Sequence, residues 1–108
     1  MKAEALNELG RTQEAFAPLN RVRRRAGLGD LAGLSQAEFR QAVLRERRVE
    51  LAFEGKRYFD LLRVDGGQYG VDFLRSIGKS NASKPRLLLP IPQLEIDANP
   101  NLAQNPGY

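Results

Sequence analysis

Arg45-Glu46-Arg47-Arg48-Val49-Glu50-Leu51-Ala52-Phe53-Glu54-Gly55-Lys56-Arg57-Tyr58-Phe59-Asp60-Leu61-Leu62-Arg63 decides how this chain folds. At about 100° per residue, a helix through its first half sets Glu46 and Glu50 on the face that also carries Phe39, Val43, Val49 and Phe53. Two carboxylates then sit in an apolar stripe. A buried carboxylate without a partner costs several kcal/mol, so each needs a cation and hydrogen-bond donors close by. Arg57 and Arg63 lie just past Gly55, where a glycine can take the left-handed conformation that ends a helix and turns the chain back. The stretch therefore predicts a packed ionic corner in which the arginines return to Glu46 and Glu50.

A catalytic reading competes with this one. Glu46 and Glu50 are one helical turn apart, about 6 Å between Cβ atoms, and a retaining glycosidase holds its two carboxyls about 5 to 5.5 Å apart. Such enzymes, however, flank a cleft with carboxylates from opposite sides. Two neighbours on one helix among arginines would both stay ionised, leaving no general acid. The balance favours a structural role.

Composition narrows the chemistry further. The 108 residues make one domain or part of one, with a modest core. There is no cysteine and no histidine, which removes disulfides, thiolate metal sites, cysteine nucleophiles and Ser-His-Asp triads. No cofactor and no metal are expected, and an enzyme is disfavoured. The net charge of +4 is concentrated early: residues 1–63 hold 13 basic and 9 acidic side chains, residues 64–108 four of each. No run of apolar residues is long enough to span a membrane, and the start lacks the pattern of a signal peptide.

Working outward, Ala3, Ala5, Leu6 and Leu9 give a short helix without a convincing cap, closed by Gly10. Thr12 is the expected cap of a second helix marked by Ala15, Phe16, Leu19, Val22 and Ala26 and ended by Gly27. Pro18 predicts either a kink or a helix that begins at Pro18 itself. The two helices form a hairpin over residues 1–27 that resembles a tetratricopeptide unit, with Ala5, Leu9-Gly10 and Phe16 at the matching places. Residues 27–34 are a glycine-rich connector. Ser35 with Glu38 is a capping box and opens a long helix to about Glu54, with Leu44 and Leu51 on a flank. Tyr58, Phe59, Leu61 and Leu62 continue as one or two helical turns, so residues 35–63 hold the long helix and the ionic corner.

Residues 64–108 read as loop-rich. Gly66, Gly67 and Gly70 mark turns, and Val71, Leu74 and Ile77 a short helix. Residues 87–91 are expected to be extended, because Pro90 and Pro92 bias their predecessors away from helix. Pro92 opens a helical turn through Leu94 and Ile96. The tail from Asn99 is turn chemistry that only Leu102 and Tyr108 would anchor. The fold class is all-α: a tetratricopeptide-like hairpin, a long helix and an irregular Pro/Gly/Asn-rich C-terminal segment.

Three stretches together resemble a known family. Glu46 to Arg63 as quoted, then Leu89-Pro90-Ile91-Pro92-Gln93-Leu94-Glu95-Ile96-Asp97-Ala98-Asn99-Pro100-Asn101-Leu102, and the terminal Gln104-Asn105-Pro106-Gly107-Tyr108 look like the C-terminal end of the SusD/RagB family. Residues 3–28, with Ala5-Leu6-Asn7-Glu8-Leu9-Gly10 and Leu19-Asn20-Arg21-Val22-Arg23, are similar to the helical hairpin before it. The resemblance implies the C-terminal part of a surface-exposed outer-membrane lipoprotein of Bacteroidetes-type bacteria. Such proteins bind glycans such as starch, or peptides in some members, and cap a SusC-like TonB-dependent transporter. They are not enzymes. Membrane attachment would run through an N-terminal lipid anchor absent from this chain. No ligand-binding residue carries over, whereas Glu46, Glu50, Arg57, Asp60 and Arg63 carry over as a fold-holding network. A free-standing helical module that binds a protein partner is the alternative.

Other signals have plainer readings. Arg21-Val22-Arg23-Arg24-Arg25 suggests a phosphate-binding strip, but cations at a helix C-terminus favour the macrodipole, and Glu4, Glu8 and Glu14 can compensate them. Nucleic acid is not expected. Gly66-Gly67-Gln68-Tyr69-Gly70 lacks the Lys-Ser/Thr ending of a phosphate loop and reads as a turn, with Tyr69 the one aromatic there able to stack on a sugar. Asn81-Ala82-Ser83 fits a glycosylation pattern and reads as an ordinary polar loop.

Overall fold

The computed structural model describes all residues from Met1 to Tyr108 and contains helices and turns only. Two compact units divide the chain, Met1–Glu54 and Gly55–Tyr108.

In the first unit, α1 (Lys2–Glu8) and α2 (Thr12–Arg25) form the expected hairpin, and α3 (Gln36–Glu50) packs on both. Ala3, Ala15, Phe16, Leu19, Phe39 and Val43 make the core, with Leu6, Leu31 and Leu34 against it. Phe16 and Phe39 meet edge to face at 4.9 Å between ring centroids, an arrangement that contributes about 0.5–1.5 kcal/mol beyond area burial. Two buried asparagines staple this core. Asn7 donates to the Gln36 carbonyl at 3.0 Å, while its own backbone carbonyl accepts from the Gln36 amide at 2.6 Å. Asn20 donates to the Leu31 carbonyl and accepts from the Leu31 N–H, both at 2.9 Å. The side-chain amide thus pairs with the connector backbone as a strand neighbour would.

The local punctuation departs from expectation at three places. Thr12 is the first residue of α2 and not its cap; Arg11 holds the cap position, because the Thr12 hydroxyl donates instead to the buried Asn7 Oδ1 at 2.9 Å. A helix beginning at Pro18 is also excluded, since α2 starts at Thr12 and runs through it; the one hydrogen bond forgone falls on the carbonyl of exposed Glu14. The capping box of Ser35 and Glu38 forms in both directions, but α3 ends at Glu50, short of Glu54. There the backbone bonds tighten to the i−3 pattern, Ala52 N–H to Val49 and Glu54 N–H to Leu51, and Phe53 and Gly55 both take positive φ.

In the second unit, α4 (Arg57–Arg63), a 3-10 turn (Val64–Gly67), α5 (Gln68–Ser76), a second 3-10 turn (Pro85–Leu87) and α6 (Gln93–Ala98) follow one another. Its small core joins Val71, Ala82 and Leu87, with Leu62 and Leu74 beside them. Gly70 lets α5 approach α4, since a Cβ there would lie 2.8 Å from the Leu61 carbonyl oxygen. The helices expected around Val71–Ile77 and Leu94–Ile96 are present as α5 and α6. Leu87 belongs to a 3-10 turn, and Leu88 is the extended residue after it.

The tail is held by more than Leu102 and Tyr108. Gln104 pairs with both the N–H and the carbonyl of Ile91 at 2.9 Å, and the Asn105 amide donates to the Leu89 carbonyl at 2.7 Å. The Tyr108 hydroxyl donates to the Leu88 carbonyl at 3.0 Å. Proline-rich extended backbone has no sheet neighbour of its own, so side-chain amides satisfy it.

Candidate functional site

Glu46 and Glu50 project from the last turns of α3 toward the last turns of α2, and each meets an arginine there. Arg23 donates from Nη1 to Glu46 Oε2 at 2.8 Å and from Nε to the Gly29 carbonyl at 2.8 Å. Arg25 pairs with Glu50. The two pairs sit in different surroundings: the Arg23 and Glu46 side chains are 19% and 14% exposed, those of Arg25 and Glu50 69% and 32%. The apolar stripe expected to run on to Val49 and Phe53 stops at Val43. Beyond it α3 faces the arginine-rich end of α2, so Val49 and Phe53 are left in solvent.

Three of the four arginines read as a phosphate strip, Arg23, Arg24 and Arg25, are therefore taken up by acids of their own unit. Besides Glu46 and Glu50, Asp30 pairs with Arg24 at 3.0 Å. Two of the three hairpin glutamates expected to compensate the strip have other partners: Glu8 pairs with Arg40 and Glu14 with Arg11, both at 2.6 Å. The Arg40 guanidinium bonded to Glu8 holds its carboxyl below the usual range, despite partial desolvation. Glu14 is lowered in the same way by Arg11, and Glu38 by its hydrogen bonds to Ser35.

In the second unit, Arg63 donates to Asp60, Nε at 2.9 Å and Nη2 at 2.8 Å. The Asp60 carboxylate is 3% exposed. Arg57 lies over the rings of Phe73 and Tyr69, with its Cζ 4.7 and 5.7 Å from their centroids. Its buried Nε and Nη1 have no hydrogen-bond partner, which leaves the ring faces to stabilise its charge. Tyr69, the aromatic singled out for sugar stacking, is half-buried and engaged by Arg57 on a ring face. The turn expected at Gly66-Gly67 is there, with both glycines at positive φ before α5.

A cleft of about 290 Å³ opens in the first unit, floored by Leu19, Val22, Val43 and Leu51 and edged by Glu46 and Glu50. Both carboxylates reach it already paired, a poor arrangement for proton transfer and a good one for bracing helices. No group of three or more His, Cys, Asp or Glu side chains could hold a metal ion. Sequence reasoning missed Arg23 and Arg25 as partners of the α3 glutamates. The available signal was their place at the end of the helix whose apolar stripe meets that of α3.

Comparison with known proteins agrees with this architecture. The SusD family profile matches residues 1–108. SusD-like protein P2 of Formosa agariphila is 40% identical over 98% of this chain and 23% of its own length. SusD-like protein P25 of the same organism is 38% identical over 100% of this chain and 23% of its own length. A crystal structure of a SusD-like protein from Bacteroides fragilis superposes with a TM-score of 0.73 at 28% identity, over 98% of this chain and 23% of that one. The chain thus spans under a quarter of each relative. It belongs to the SusD family.

Proposed function

We propose that this chain is the C-terminal part of a SusD/RagB-type domain that binds glycan at the bacterial cell surface and delivers oligosaccharide to a SusC-like TonB-dependent outer-membrane transporter. The observation that carries the reading is the family match along residues 1–108. Attachment to the outer membrane would run through an N-terminal lipid anchor; no helix here is long and apolar enough to cross a membrane. The role is binding and not catalysis, a reading supported by the engagement of Glu46 and Glu50 in ion pairs. Glu46, Glu50, Arg57, Asp60 and Arg63 serve as fold-holding charges and not as a ligand site. Affinity capture from cells grown on an inducing glycan is expected to recover a TonB-dependent transporter, and calorimetry against a polysaccharide panel to show saturable binding. Repeated capture without a transporter, together with a flat panel, overturns the proposal.

A further inference from the structure

Past Leu87 the second unit is held together by hydrogen bonds and not by a core. Its apolar cluster ends with Leu87, and no residue after Leu87 is buried. The carbonyls of Leu87, Leu88, Leu89 and Ile91 nevertheless each accept from a side chain, those of Tyr58, Tyr108, Asn105 and Gln104 in turn. Tyr58 belongs to α4 and ties Leu87 to the folded body. The other three donors all come from residues 104–108. Gln104 Oε1 also accepts the N–H groups of Ile91 and Asn105, both at 2.9 Å, so one carboxamide grips Ile91 on both sides and fixes the chain that carries it. Gly107 brings the tail close to Arg86, whose Cγ would lie 3.4 Å from a Cβ there.

We infer that residues 104–108 form a strap that opens as one piece while α4 and α5 stay folded, and that the strip beneath it, residues 88–91, is a docking site for an extended peptide with carboxamide side chains. The chain's own tail is the resident occupant. Hydrogen bonds made in partial exposure contribute little each, and no buried apolar side chain reinforces them. The strap therefore separates more easily than the core of Val71, Ala82 and Leu87 unfolds. It moves as a unit because Gln104 and Asn105 fasten one end and Tyr108 the other, with only Pro106 and Gly107 between. Without it, the strip offers the carbonyls of Leu88, Leu89 and Ile91 and the Ile91 N–H on a backbone that Pro90 and Pro92 keep extended. Main-chain recognition of an extended peptide uses such groups, and a strip that keeps its shape loses little entropy when it is filled again.

Native-state amide exchange of the full chain tests the strap. The Ile91 and Asn105 amides, which share Gln104 Oε1, are expected to show matching protection that low urea leaves unchanged, while the Leu74 amide exchanges more slowly and follows global unfolding. Tyr108→Phe removes only the fastening at Leu88, yet is expected to accelerate exchange at Ile91 and Asn105 alike by about fivefold, the value of one hydrogen bond. The double variant Gln104→Ala/Asn105→Ala tests the strip. A free peptide with the sequence of residues 102–108 is expected to restore protection at Ile91 in that variant at about millimolar concentration, the range in which a short linker holds its own tail. The same peptide with alanine for its Gln and Asn is expected to leave Ile91 unprotected. Unequal protection at Ile91 and Asn105, exchange at either only through global unfolding, an Ile91 amide indifferent to Tyr108→Phe, or no difference between the two peptides overturns the inference.

Discussion

Truncating Glu46 and Glu50 separately measures how far the ionic brace of the first unit is buried. The pair at Glu46 is 2.8 Å long and its two side chains are less than one fifth exposed. At an effective dielectric of 20 the attraction is about 6 kcal/mol before desolvation, which consumes most of it. Removing the carboxylate leaves Arg23 desolvated with only the Gly29 carbonyl to accept from it. Loss of one partner of a buried pair costs about 3–5 kcal/mol. The retained carbonyl and the residual exposure bring Glu46→Ala to about 2–3 kcal/mol. Glu50 faces an arginine that is 69% exposed, so water replaces it readily and Glu50→Ala costs less than about 1 kcal/mol. Urea unfolding followed by circular dichroism separates the two, provided that m is unchanged between variants. Salt adds a control, since 1 M NaCl, where the screening length is about 3 Å, erases the Glu50 effect and spares that of Glu46. Equal losses at the two positions, or a Glu46→Ala cost below about 1 kcal/mol, refute the burial argument.

Three further perturbations address other parts of the fold. Gly70→Ala places a Cβ 2.8 Å from the Leu61 carbonyl oxygen and is expected to lower stability by about 1–3 kcal/mol, whereas Gly29→Ala meets nothing within 4 Å and no positive φ and should be neutral or stabilising by up to about 1 kcal/mol; thermal melts of the two variants compare them. Gln104→Ala strips both partners from the Ile91 backbone, so amide exchange at Ile91 is expected to accelerate to the rate of open chain while α2 stays protected. Glu8 is held below the ordinary carboxylate value of 4.5 by Arg40, so its folded state binds a proton less readily than its unfolded state. Its contribution is complete above 4.5 and lost as pH falls through the lowered value, and Arg40→Ala is expected to flatten the acid limb of the melting-temperature profile.

What the sequence revealed was mostly local. The capping box at Ser35 and Glu38 reads directly because both partners lie within one turn, and α5 and α6 announce themselves through turn residues and apolar spacing. The end of α3 was hidden, since nothing in Leu51-Ala52-Phe53-Glu54 forbids helix and Phe53 is an unfavourable residue for positive φ. The tail was hidden for another reason. Glutamine and asparagine look like loop filler until the extended backbone they satisfy, at Ile91 and Leu89, is folded beside them.

The partners of Glu46 and Glu50 show where one-dimensional reasoning stops. A carboxylate in an apolar stripe demands a cation, and the nearest arginines outside the helix itself were those past Gly55. Distance along the chain was the wrong ruler for Arg23. Phe16 packs on Phe39, and Arg23 bonds to Glu46; each member of the second pair lies seven residues beyond its counterpart in the first. Helices α2 and α3 therefore advance in the same direction, and the step that buries two phenylalanines brings an arginine to a glutamate two turns later. Such an arrangement needs a connector long enough to return the chain to the turn of the hairpin, where Gln36 meets Asn7. That gives residues 27–34 a structural reason for their glycines and for the three α2 side chains that fasten them. One connector, fastened to α2 at Leu31, Gly29 and Asp30, thus sets the register of the core and of the brace together.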